Sequence, residues 1–220
     1  MTQIEQPRAV SIDMISEAIT STPARSELHE ERAGGWARWS LLSGGVVFAV
    51  GNALHPLEHN EAALDRPTWQ AAHLLIFASI PLLVLGLPYL GRRLTRRVPS
   101  RLAAVAVTAS IVGLIGIGPG CILEAFVAPV IGQAAMKDLE SGGMGVVNAM
   151  LGVAYLGGTI TLGWAVARAK LRPRWAGPSL VAGAVVLLGI MGATGPAAGA
   201  VIIAATVAYG LALSALALRA

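Results

Sequence analysis

The chain has 220 residues, of which 55% are hydrophobic, 13% charged and 5% aromatic, with a mean hydropathy of +0.68. So few charges cannot coat a soluble domain of this size, so an ordinary globular enzyme is excluded. A single cysteine, Cys121, rules out an intramolecular disulfide and any cysteine-built metal cage.

Taken in chain order, Met1 to Gly35 is polar, carries Pro7 and Pro23, and contains no apolar run. It is expected to be a largely disordered cytoplasmic segment without a signal peptide. Ile12, Ile15 and Ile19 fall at helical spacing, the alternative being a short amphipathic helix on the membrane surface or on a partner. Six apolar stretches follow, from Trp36 to Leu54, Trp69 to Leu90, Leu102 to Ile131, Met144 to Ala167, Ala176 to Gly195 and Ala197 to Leu218. Each is long enough to cross about 30 Å of hydrocarbon as a helix, which takes roughly 20 residues. The expected fold is therefore an all-α, polytopic bundle of about six spans over residues 36–220, in contact with the lipid bilayer. Its many glycines suit close helix packing, because lipid gives helices no hydrophobic reason to associate.

The basic residues orient this bundle. All but Arg8, Arg66 and Lys137 flank the N-terminal segment, the second loop, the fourth loop or the C-terminus. Basic loops resist translocation, so both termini are expected in the cytoplasm of a bacterial inner membrane. The same placement accounts for the pI near 9.8 without nucleic acid as a partner.

With that orientation, the polar residues of the spans gather at the outer end. Asn52 and His55 close the first span, His59 follows in the loop, and Gln70 and His73 open the second. Glu124 lies late in the third span and Asn148 early in the fourth. An ionisable group at membrane depth is costly and is retained for use, although one His to Glu hydrogen bond that merely glues helices together is the competing explanation. Gly118, Pro119 and Gly120 break the helix just before Glu124 and can open backbone groups to a pocket lined by Asn52, Gln70 and Asn148. His55 and His59, in His-Pro-Leu-Glu-His, would share a face on a continuous helix, but Pro56 disfavours helical geometry at His55. With His73, and Glu124 as a fourth ligand, they make a reasonable site for a transition metal ion such as Zn, Fe or Cu. Haem fits less well, since only His73 lies well inside a span. Glu58, Glu61 and Asp65 read as a solvated acidic loop, and Trp36, Trp39, Trp69 and Trp175 as interfacial anchors.

The segments Leu54-His55-Pro56, Trp69-Gln70-Ala71-Ala72-His73 and Leu123-Glu124-Ala125-Phe126-Val127-Ala128-Pro129 resemble a group of small multi-pass membrane proteins of actinobacterial type. The resemblance covers residues 41–131 and implies a four-span or six-span bundle, with no activity attached. It also singles out His55, His73 and Glu124.

Three classes of function are compatible with these residues. The outer pocket binds a metal, a proton or a small ligand through His55, His59, His73 and Glu124. Alternatively the chain is an enzyme on a lipophilic prenyl or lipid substrate, a cyclase or isomerase with Glu124 as general acid or base and His73 as its partner. The third class is a noncatalytic subunit of a membrane complex, either a homo-oligomer or an assembly with another membrane partner.

Overall fold

The computed structural model describes residues 23–142, 145–190 and 193–219, with side chains from residue 35 onward except at residue 140. Among them every regular element is helical: α1 (Pro23–Ala53), α2 (Glu61–Leu64), α3 (Pro67–Thr95), α4 (Ser100–Ile122), a π-helical turn (Leu123–Val127), α5 (Ala128–Ser141), α6 (Gly145–Arg168), α7 (Ala176–Gly189) and α8 (Pro196–Leu218).

The chain divides into two units after Trp36. In the first, α1 begins at Pro23 rather than near Trp36, so the expected disorder does not extend through residue 35. Proline suits the first helical position, and Ala-Arg-Ser-Glu-Leu-His-Glu-Glu-Arg-Ala after it is rich in strong helix formers. The helix anticipated around Ile12, Ile15 and Ile19 lies outside the described residues.

In the second unit four helical runs are long and apolar enough to cross a membrane: Pro67–Thr95, Ser100–Leu139, Gly145–Arg168 and Pro196–Leu218. Among the described residues the other two expected spans do not reach that length and apolarity, for different reasons. α7 has only 14 residues, about 21 Å of helix. The apolar part of α1 is diluted by Arg38, Ser40, Ser43 and Asn52. The third expected span, which was to end at Ile131, instead continues through α5 to Ser141. A straight helix of 40 residues would reach about 60 Å, twice the hydrocarbon thickness. This one is interrupted by the π turn and again at Gly132, whose φ of 83° only glycine adopts readily.

Close backbone contact joins the helices in a circuit. α3 packs on α4, α4 on α6, α6 on α7 and α7 on α8. The circuit closes where α1 meets both α3 and α8. A Cβ added at Gly86 would stand 2.5 Å from the Leu41 backbone, and one at Gly210 would stand 2.5 Å from the Gly45 carbonyl oxygen. Small residues thus set these helix separations directly.

One end of the circuit is basic, and its arginines do structural work there. Arg93 donates to the Leu216 carbonyl at 2.6 Å and Arg38 to that of Ala217 at 2.9 Å, both at the C-terminus of α8. Arg97 reaches the Ala169 carbonyl just past α6 at 3.4 Å. Helix ends leave such carbonyls without intrahelical donors, and a cation there also opposes the negative end of the helix dipole. The loop carrying His55 and His59 lies at the opposite ends of these helices.

Candidate metal centre

α1 stops at Ala53 because Pro56 favours an extended conformation at His55. The loop that follows turns tightly: the His55 amide donates to the Asn52 carbonyl at 3.2 Å, and Asn60 caps α2 by accepting from the Ala63 amide at 3.0 Å. Pro67 then opens α3, which brings His73 back to the loop from its second turn. His55 and His59 therefore meet across an irregular turn, with ring centroids 4.7 Å apart, and not along one helical face.

The three imidazoles converge. Their candidate ligand atoms all lie within 4.8 Å of one another, and His55 Nε2 stands 3.3 Å from His73 Nε2. Both rings have their other nitrogen committed. His55 Nδ1 is 2.9 Å from the Pro56 carbonyl oxygen and His73 Nδ1 is 2.8 Å from that of Trp69. A carbonyl only accepts, so each Nδ1 carries the hydrogen, and each neutral Nε2 is left with a lone pair. Two lone pairs facing each other at 3.3 Å repel unless a cation lies between them. A proton is one choice, a metal ion the other. With Zn–N bonds of about 2.0–2.1 Å, two nitrogens on one tetrahedral zinc stand roughly 3.3–3.4 Å apart. Backbone carbonyls that orient ligating imidazoles through Nδ1 are a recurrent support of metal sites.

Burial argues against the proton. His55 lies half-buried in the loop, and desolvation lowers its pKa below the ordinary value, with the bond to Pro56 opposing. His59 is exposed by surface area, yet desolvation by the protein around it, followed by the charges of His55, His73 and Lys137, holds its pKa down to about 4. In the metal-free protein this depressed value has a consequence for stability. The unfolded chain takes up a proton near pH 6.5 and the folded one only near 4, so stability present above 6.5 is lost as the pH falls from 6.5 to 4. We expect the Tm of chelator-treated protein to fall across that window. His59→Ala should reduce the slope.

Trp69 is the centre of the arrangement and was not legible as such. Only 1% exposed, it places its ring centroid 4.6 Å from that of His73, 5.2 Å from His59 and 5.9 Å from His55. Its indole N–H donates to the Glu124 carbonyl oxygen at 2.6 Å. With Ala63, Ala128 and Met136 it forms a small separate core, which does not suit an interfacial anchor, whereas Trp36, Trp39 and Trp175 are exposed.

Glu124 sits in the π turn, a feature frequent at functional sites. Among the described residues the metal-competent group is His55, His59 and His73, without Glu124. The Glu124 carboxylate instead accepts from Gln133 Nε2 at 3.4 Å, and Glu61 accepts from the Gln133 amide at 2.8 Å just after the Gly132 break. Glu61, exposed at the start of α2, thus caps the part of α5 that follows Gly132, and Gln133, 5% exposed, links it to Glu124.

Next to the triad opens a cavity of about 570 Å³. His55, His59, His73, Glu124, Asn52 and Asn148 all border it. Gln70 does not: it is exposed and outside the lining, because one residue's rotation around α3 from Trp69 turns it away. Asn52 faces the cavity with its amide donating to the Phe48 carbonyl at 2.9 Å. Cys121 and Tyr155 also border it.

No protein-family profile matches the chain, and no curated protein and no solved structure matches it either.

Proposed function

We propose that the chain is a six-span protein of the bacterial inner membrane, with both termini inside, that binds a divalent transition metal ion on its extracytoplasmic side through His55, His59 and His73. The observation that carries this reading is the pair of Nε2 atoms 3.3 Å apart, each with its Nδ1 hydrogen already given to a backbone carbonyl. Zinc is the first choice: imidazole suits Zn, Cu, Fe and Ni, while a set without a carboxylate disfavours Mg and Ca. His59, held by a loop, completes the set by a side-chain rotation. Three protein ligands leave a position open, the usual form of sites where a metal acts on something.

A second reading is favoured by Glu124 bordering the same cavity. A carboxylate beside an open metal position is placed to move a proton, which would make the chain a membrane-embedded enzyme with Glu124 as general acid or base.

Metal analysis of protein purified without chelator and equilibrated with micromolar zinc tests the first reading. It expects close to one zinc per chain in the wild type, and an affinity at least about a hundredfold lower for His55→Ala or His73→Ala, beyond the 10–100-fold typical of losing a supporting group alone. Zinc retained in full by both variants would rule the triad out as ligands.

A further inference from the structure

The three histidines border a hollow whose wall beyond them is mainly apolar. We infer, resting on the metal reading above, that the site takes a single-chain amphiphile from the surrounding leaflet, with an acid or carbonyl head at the metal and its chain along the cavity wall. Beyond the polar rim, the wall is made of Phe48, Ile76, Ile117, Leu151 and Ile203. The cavity volume of about 570 Å³ lies within the range of pockets that enclose drug-sized molecules, far more than a bare ion or a small anion needs.

Glycines keep this space empty. Gly120 and Gly152 both border the cavity, and a Cβ on either would meet nothing within 4 Å. They differ from Gly45, Gly86 and Gly210, where the neighbouring backbone or side chains leave no room.

The cavity also has an exposed side. Residues 146–150 of α6 are all exposed. Five consecutive residues at about 100° each reach every side of a helix, so this turn is only loosely covered all round, Val147 being 52% exposed. Asn148 and Ile202, from α6 and α8, are exposed while they border the cavity. α7, which packs between those two helices, contributes no residue to the cavity wall. Among the described residues no residue of α7 lines the cavity between α6 and α8, and that side is the entry we assign to an acyl chain.

The test uses zinc-loaded protein in nanodiscs and a series of alkyl hydroxamates, whose head groups bind zinc, from acetohydroxamate to dodecanohydroxamate. Gly120→Leu and Gly152→Leu, on different helices, fill the hollow and leave the triad intact. They see the same partitioning of each probe into lipid as the wild type, so the ratio of affinities isolates the cavity. Each methylene buried in the wild type but not in the variants contributes about fourfold. We expect acetohydroxamate to bind wild type and filled variants within about twofold, and the dodecyl probe to bind the wild type at least a hundredfold tighter. A ratio near one at every chain length, with zinc present, overturns the amphiphile and leaves the metal site standing. Absence of zinc together with absence of hydroxamate binding at every length overturns both.

Discussion

Trp69→Ala is expected to cost the protein the packing around its three histidines and its zinc binding together. Removing a fully buried tryptophan costs about 3–5 kcal/mol, and Trp69 also holds the carbonyl of Glu124 and lies against all three imidazoles. Trp69→Phe keeps an aromatic ring in the core while removing the indole N–H with the rest of the five-membered ring, so it helps to separate the two roles. For the alanine variant we expect a Tm lower by roughly 6–20 °C and a zinc affinity lower by at least tenfold. For the phenylalanine variant we expect a smaller thermal loss, with weaker zinc binding attributable to the freed π turn. Differential scanning fluorimetry, with and without zinc, reads both. A zinc-induced rise in Tm as large in Trp69→Ala as in the wild type would mean that the indole does not organise the site.

Gly199→Val should also damage the site severely, and the bundle much less. Any Cβ at Gly199 would collide with the Leu57 carbonyl oxygen, and Leu57 lies in the five-residue stretch that holds His55 and His59. The loop must therefore lift away from α8. Below this point α8 is joined to α1 through Gly45 and Gly210, contacts that the substitution does not touch. We expect a folded, monodisperse protein whose zinc affinity falls by about a hundredfold, comparable to loss of a supporting interaction at a metal site. Gly152→Ala, with open space around it, should leave affinity within about twofold. Equal zinc binding by Gly199→Val and wild type would show that the loop position is irrelevant to the site.

Both variants act through contacts that a linear reading does not reveal. Hydropathy and the placement of arginine were enough to foresee a helical bundle with its histidines and Glu124 at one end, because those patterns depend on position along each span alone. Asn52 and Asn148 were found in this way, since depth is what brings them to the cavity. Gln70 was not, since its depth is right and its direction around α3 is wrong, and one residue of rotation decides between cavity and surface. Trp69 was misread for a related reason: at a span end an indole that anchors to lipid and one that holds a site have the same local sequence. What separates them is a carbonyl supplied 55 positions later. Glu61 and Gln133 escaped because their bond depends on the break at Gly132 turning an amide toward the loop. The pairing of His55 with His59 was visible as spacing, but the reason it brings rings together is the turn after Pro56, not helical periodicity.

The account stands or falls on what lies between the imidazoles. The most direct measurement is X-ray absorption at the zinc K-edge on protein loaded with one equivalent and washed. The account predicts about three imidazole nitrogens at roughly 2.0–2.1 Å with one further oxygen or nitrogen ligand completing the shell, and the outer-shell scattering that imidazole rings produce. A first shell of oxygens alone, a sulfur near 2.3 Å, or zinc lost in the wash would contradict it.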